Sequence, residues 1–112
     1  MRVLLDENLD HALRNLLRPH DVFTTNFMGW AGFNNGELLR AAEENGIDVF
    51  LTGDRTLAQE QNLTGRRLAV VVLSAIELPI IRNFLPQVIS AIDNAAPGTI
   101  HTVDCGSFNR RC

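Results

Sequence analysis

Short, continuous apolar runs recur between helix-like segments of this chain of 112 residues and limit the folds open to it. The strongest run is RLAVVVL at residues 67–73. Its three consecutive valines suit a strand buried on both faces, as in the centre of a parallel sheet. Further runs that indicate strands occupy residues 2–5, 21–25, 48–52 and 99–103.

Helical periodicity fills the segments between these runs. The first helix is predicted over residues 9–17 from a stripe that Pro19 ends: Leu9, Ala12, Leu13, Leu16 and Leu17. The second spans residues 34–45 and stops at Gly46, and a short third helix is expected from Asp54. The fourth carries the stripe Ile80, Phe84, Val88 and Ile92, interrupted by Pro86, where a kink or restart is expected.

The predicted fold class is therefore α/β: a three-layer α/β/α arrangement around a five-stranded, mainly parallel sheet. The alternation of strands and helices with short connections gives this result, since crossovers between parallel strands are right-handed. Residues 1–112 form one predicted domain, and residues 104–112 are expected to pack poorly. Ligands of such sheets sit beyond the carboxyl ends of the strands.

Composition narrows the function classes. All ten basic residues are arginine, so mechanisms that need a lysine are excluded. The net charge of −3 argues mildly against general nucleic-acid binding. No stretch approaches the ~20 apolar residues of a membrane span, and no signal-peptide pattern opens the chain, so a cytoplasmic location is expected. Cys105 and Cys112 are interpreted as free thiols.

Four acids lie where the predicted elements begin or end. Asp6 and Glu7 follow the first strand, Glu37 lies in the first turn of the second helix, and Asp54 follows the third strand. Carboxylates ~4 Å apart repel by roughly 4 kcal/mol at an effective dielectric near 20. A shared Mg²⁺ or Mn²⁺ ion, which takes one or two carboxylates plus water, would remove that repulsion and activate water toward a phosphodiester.

Each acid also has a simpler interpretation. Asp54 is suited to cap the following helix, and Glu37 to pair reciprocally with an Asn34 cap. Asp6 or Glu7 would stabilise the positive end of the first helix. The four acids taken together favour the functional interpretation, because acids that only cap separate helices need not lie at one edge of the sheet.

A glycine-rich loop at residues 26–36 carries three aromatic residues. Phe27, Trp30 and Phe33 suit stacking on nucleotide bases, or alternatively filling of the core. Arg55, beside Asp54, is placed to contact a phosphate or to pair with a carboxylate.

Three segments together resemble a known family. VLLDENL at residues 3–9, GFNNGELLRAA at 32–42 and VFLTGD at 49–54 are similar to the small PIN-like proteins of prokaryotes, related to PIN-domain ribonucleases. The resemblance covers about residues 1–75. It implies a five-stranded α/β/α fold, a Mg²⁺ or Mn²⁺ site and RNA cleavage, and some members act as the toxin of a toxin–antitoxin pair.

The resemblance and the residues together give a set of site predictions. Asp6, Glu37 and Asp54 are the predicted catalytic residues, and the predicted metal ligands are Asp6, Glu7, Asn35 and Asp54. Arg55 and Trp30 are the predicted substrate-binding residues. Asn35 and Thr56 stand where relatives usually carry further acids. The predicted partners are RNA, an antitoxin protein and a second copy of the chain, with no membrane.

Two rival interpretations remain. A phosphoacceptor receiver domain has this order of elements and similar acids, but it senses its phosphoryl group through a lysine, which this chain lacks. A non-catalytic binding module of the same fold is the alternative to an enzyme, and divalent-metal binding separates the two.

Overall fold

The computed structural model describes residues 1–57 and 61–105. Its centre is a five-stranded sheet in which every neighbouring pair is parallel, in the order β2-β1-β3-β4-β5. The strands are β1 (Arg2–Leu5), β2 (Asp21–Thr24), β3 (Val49–Thr52), β4 (Ala69–Leu73) and β5 (Ile100–Val103). The predicted α/β class and all five strands are confirmed, each strand to within two residues at its ends.

Helices cover both faces of the sheet. They are α1 (Leu13–Leu16), α2 (Asn35–Glu44), α3 (Leu78–Arg82) and α4 (Leu85–Asp93). Two separate apolar cores lie against the two faces because side chains alternate along each strand. On β1, Val3 and Leu5 join the first core with α1, α3 and α4, whereas Leu4 joins the second core with α2.

The first predicted helix is wrong in extent. Only one turn, α1, is helical, because the preceding residues form turns in which Leu13 N donates to Asp10 O and Ala12 N donates to the Asp10 carboxylate. Such aspartate turns compete with helix formation. The apolar stripe was nevertheless a good guide to burial at Leu9 and Leu13, although Ala12 is exposed.

The interruption predicted at Pro86 is confirmed as a restart. The segment divides into α3 and α4, with proline in the first turn of each, where its missing N–H is tolerated. The break changes which face is buried. Val88 and Ile92 are fully buried as predicted, but Ile80 is 39% exposed and its neighbour Ile81 takes the buried position.

Two predicted segments fall partly outside the described residues. Of the short helix after Asp54, residues 58–60 lie outside the described part of the chain, as do residues 106–112 of the predicted tail. Cys105 is described and differs from the expectation for the tail. It is buried in the first core, and its N–H donates to Ser74 Oγ at 2.7 Å. Within the described ranges no helix is both long and apolar enough to cross a bilayer.

Candidate functional site

The sheet order defines where a ligand site belongs. The chain leaves β1 toward the first core through Leu9 and Leu13, and it leaves β3 toward the second core through Leu57 and Leu63. These neighbouring strands therefore send their connections to opposite faces, which makes β1/β3 the switch point where ligands of doubly wound sheets bind. Asp6 follows β1 directly, and Asp54 comes two residues after the end of β3.

Asp6 is a buried carboxylate, with only 8% of the residue exposed. Its Oδ2 accepts a hydrogen bond from the Thr52 hydroxyl at 2.6 Å, and its Oδ1 accepts one from Glu7 N at 2.8 Å. Burial raises the pKa of Asp6 above its ordinary value, and the nearby carboxylates of Glu7 and Asp54 raise it further. The two hydrogen bonds oppose that rise without reversing it.

Asp54 lies in a more polar environment. Its Oδ1 accepts hydrogen bonds from the Thr56 hydroxyl at 2.7 Å and from Thr56 N at 3.0 Å, and its Oδ2 accepts one from Asn35 Nδ2 at 3.1 Å. The Thr56 hydroxyl bond is the main reason that the pKa of Asp54 is lowered. The bond from Thr56 N is also of the kind that a helix cap makes, which was the simpler interpretation of this residue.

Thr52 connects the two aspartates. Its hydroxyl donates to Asp6 Oδ2 and accepts from Asp54 N at 3.0 Å, while the residue itself is fully buried. Sequence analysis missed this role. No local signal in the sequence marks Thr52, because its position beside Asp6 follows from the register between β1 and β3.

The other predicted acids are placed differently. Glu37 completes a capping box: its N–H donates to Asn34 Oδ1 at 2.8 Å, and its Oε1 accepts from Asn34 N at 3.0 Å. The simpler interpretation of Glu37 is therefore confirmed, and its catalytic role stays a prediction. Glu7 is exposed, and its backbone N–H donates a hydrogen bond to Asp6 Oδ1.

A second contact between the β1 and β3 loops adjoins the aspartates. Asn8 Oδ1 accepts from Gly53 N at 3.3 Å. Gly53 has no room for a side chain, because an added Cβ would overlap the Ile76 side chain from the loop after β4. Three loops therefore meet at this edge, and glycine allows their close approach.

The predicted substrate-binding residues lie at the border of this edge. Arg55 is exposed. Trp30 is partly buried against the second core, which supports core filling for this ring. The exposed aromatic residues of the loop are instead Phe27, at 71%, and Phe33, at 39%. The Phe27 ring is stacked on Phe23 at a centroid distance of 6.3 Å.

The side-chain atoms at this edge that could bind a metal ion are oxygens. Across residues 1–57 and 61–105, no group of three or more His, Cys, Asp or Glu side chains is arranged to hold a metal ion. What the structure does bring together is two carboxylates, those of Asp6 and Asp54, and the side-chain amide of Asn35 on Asp54. Two carboxylates with a neutral amide oxygen fit a hard cation such as Mg²⁺ or Mn²⁺, which keeps several of its own waters.

Comparisons of this chain with protein-family models, with curated proteins and with solved structures found no match. The Asp6–Thr52–Asp54 arrangement is therefore the feature of this chain that bears most on its function.

Proposed function

We propose that the chain is a Mg²⁺- or Mn²⁺-dependent ribonuclease that hydrolyses phosphodiester bonds at the β1/β3 edge. The observation that carries this proposal is the bridge in which one buried hydroxyl joins Asp6 to the backbone of Asp54. Two acids from segments 48 positions apart meet where the sheet topology favours a ligand.

The two aspartates differ in the way that acid–base catalysis requires. The raised pKa of Asp6 makes it the better proton acceptor, because a general base works best when its pKa approaches the working pH. The lowered pKa of Asp54 keeps it ionised as a ligand for a cation. When the environments of two neighbouring carboxylates shift their pKa values in opposite directions, one commonly acts as the acid or base and the other stays charged.

The cation, when bound, would lower the pKa of a water and neutralise charge on the phosphate. Asp6 and Asp54 would hold the cation, with the side-chain amide oxygen of Asn35 as a neutral ligand. Asp6 would also take the proton of the attacking water, and Thr52 would fix the direction in which the Asp6 carboxylate faces.

The proposed substrate is single-stranded RNA. Arg55 is exposed next to Asp54 and suits a phosphate, and the exposed ring of Phe27 suits stacking on a base. The resemblance to PIN-like proteins extends the proposal to the toxin of a toxin–antitoxin pair, with an antitoxin and a second copy of the chain as partners.

The test is cleavage of a fluorescently labelled single-stranded RNA in Mg²⁺ or Mn²⁺. Wild type should cut it, and a chelator, Asp6→Asn or Asp54→Asn should each reduce the rate at least 100-fold, a loss typical of removing an acid–base or electrostatic group. Asp21→Asn is the matched control, because it removes an exposed carboxylate at the opposite end of β2. Cleavage that persists in both site variants contradicts the proposal.

A non-catalytic binding module is the second proposal, and two observations favour it. The described residues hold no cluster of three potential ligand side chains, and Phe27 presents a large exposed apolar surface that suits a partner. Mn²⁺ decides between the proposals: a cation that binds only the folded state raises the melting temperature. A melting temperature unchanged at millimolar Mn²⁺ favours the binding module.

A further inference from the structure

Thr25, directly after β2, has a buried hydroxyl that lacks a partner. The residue is 2% exposed, and no group in the described part of the chain forms a hydrogen bond with its Oγ1. Most buried polar groups in folded proteins are paired, since an unpaired one loses its water without compensation. An unpaired hydroxyl at the edge of a ligand site therefore needs an explanation.

The sheet register places Thr25 beside Asp6. Leu4 on β1 is paired with Phe23 on β2 and with Phe50 on β3, and all three contact the second core. Two positions further along the chain come Asp6, one residue past β1, Thr25, one residue past β2, and Thr52, the last residue of β3. Side chains two residues apart share a face, so the three form a polar row across neighbouring strands. The Thr52–Asp6 bond confirms one half of that row.

The other threonines at this edge have partners. Thr24 Oγ1 accepts from Phe27 N at 3.1 Å, and Thr52 joins the two aspartates. Thr25 therefore differs from its neighbours although it is of the same type and similarly buried.

We infer that Thr25 is a positioning residue for the cation that the proposed function places at Asp6, on which this inference rests. Its hydroxyl is closed to solvent and has the right chemistry to donate to an oxygen of the Asp6 carboxylate, so it would act on the cation through Asp6. Hydrogen bonds of this kind orient metal ligands, and their removal commonly weakens metal binding by 10–100-fold. Folding leaves this hydroxyl unpaired, and reorientation of the Asp6 carboxylate on the cation satisfies it.

Thr25→Val tests the inference, since valine keeps the shape and removes the hydroxyl. Without metal, the variant should melt at or above the wild-type temperature, because no hydrogen bond is lost. Its Mn²⁺ affinity, measured by calorimetric titration, should fall by about 10-fold. Thr25→Ser, which restores a hydroxyl, should bind Mn²⁺ within a factor of about 3 of wild type.

Thr24→Val is the matched control from the neighbouring position. It breaks an existing bond, so it should melt several degrees below wild type while its Mn²⁺ affinity stays unchanged. Equal Mn²⁺ affinity of Thr25→Val and wild type would overturn the inference and leave the metal site intact. So would a metal-free Thr25→Val that melts as low as Thr24→Val, which would show that the hydroxyl has a partner. A wild type that binds no Mn²⁺ overturns the proposed function itself.

Discussion

Thr52 Oγ1 lies 2.6 Å from Asp6 Oδ2 and donates a hydrogen bond to it across the β1/β3 boundary. The same oxygen accepts from Asp54 N, so one hydroxyl fixes a buried carboxylate and the loop that carries the second aspartate. Because Thr52 is fully buried, no solvent molecule can easily replace it. The site therefore depends on this threonine as much as on the acids.

Thr52→Val should destabilise the protein by about 2 kcal/mol, because it leaves a buried carboxylate oxygen and a backbone N–H without their partner. Urea denaturation measures the change in the free energy of unfolding. Thr52→Ser keeps the hydroxyl and is the control, with a loss below about 1 kcal/mol. Equal losses in both variants would mean that the methyl group, and not the bridge, stabilises this edge.

Relative to wild type, Asp6→Asn should become more stable as the pH rises from 3.5 to 7, because asparagine carries no charge that burial penalises. The folded-state pKa of Asp6 is raised, so its stabilising contribution is complete below the ordinary pKa and is lost as the pH rises through the folded-state value. Urea denaturation at both pH values measures this change, which is separate from the constant loss of one hydrogen bond, since the asparagine amide has a single acceptor oxygen for Thr52 Oγ1 and Glu7 N. A difference in stability between Asp6→Asn and wild type that falls as the pH rises would contradict the raised pKa of Asp6.

Asp54→Asn should change stability with the opposite sign. Hydrogen bonds lower the folded-state pKa of Asp54, so its contribution is present above the ordinary pKa and is lost as the pH falls through the lowered value. The variant should be less stable than wild type at pH 7, and the difference should narrow in acid. Relative to wild type, the stability of Asp6→Asn thus rises with pH and that of Asp54→Asn falls, whereas two equivalent surface carboxylates would give the same pH dependence.

Much of the fold could be predicted because its signals are local. Runs such as Val70, Val71 and Val72 indicate a buried strand, and each strand of the sheet was found within two residues. The first helix failed because the Asp10 side chain forms a turn, a competition that an apolar stripe does not reveal. The order of strands in the sheet required tertiary information, and it is this order that makes β1/β3 the switch point.

Glu37→Gln separates capping from catalysis at a residue that the sequence assigned to both. Glutamine can still accept from Asn34 N, so the capping box and the stability should be retained. RNA cleavage should also be retained if capping is the role of this residue. Asn34→Ala, which removes the cap itself, should lower the free energy of unfolding by about 1 kcal/mol. A stable Glu37→Gln protein without activity would instead assign Glu37 to catalysis.

Gly53→Ala should destabilise the edge that carries the site, by about 1–3 kcal/mol, because its Cβ would overlap Ile76. Ile76→Ala removes the obstructing atoms, and Ile76 is 46% exposed, so that single change should have a small effect. The double variant should recover most of the loss, as a double-mutant cycle of contacting residues requires. Additive losses would show that Gly53 is needed for another reason.

The candidate site was only partly predictable. Asp6 and Asp54 could be identified because acids directly after buried strands are visible in the sequence. Thr52 and Thr25 could not, since their importance comes from register between strands that are distant in sequence. Glu37 belongs to a capping box, and the sequence alone did not decide whether this residue only caps the helix or also takes part in catalysis.

The proposed function requires that Asp6 and Asp54 together hold a divalent cation. Crystals grown in millimolar Mn²⁺ and measured at the manganese absorption edge would show that cation. An anomalous peak is expected about 2.2 Å from at least one oxygen of each aspartate, a distance between those of Mg²⁺ and Ca²⁺ to their oxygen ligands. Well-ordered carboxylates without such a peak between them would contradict the proposed function.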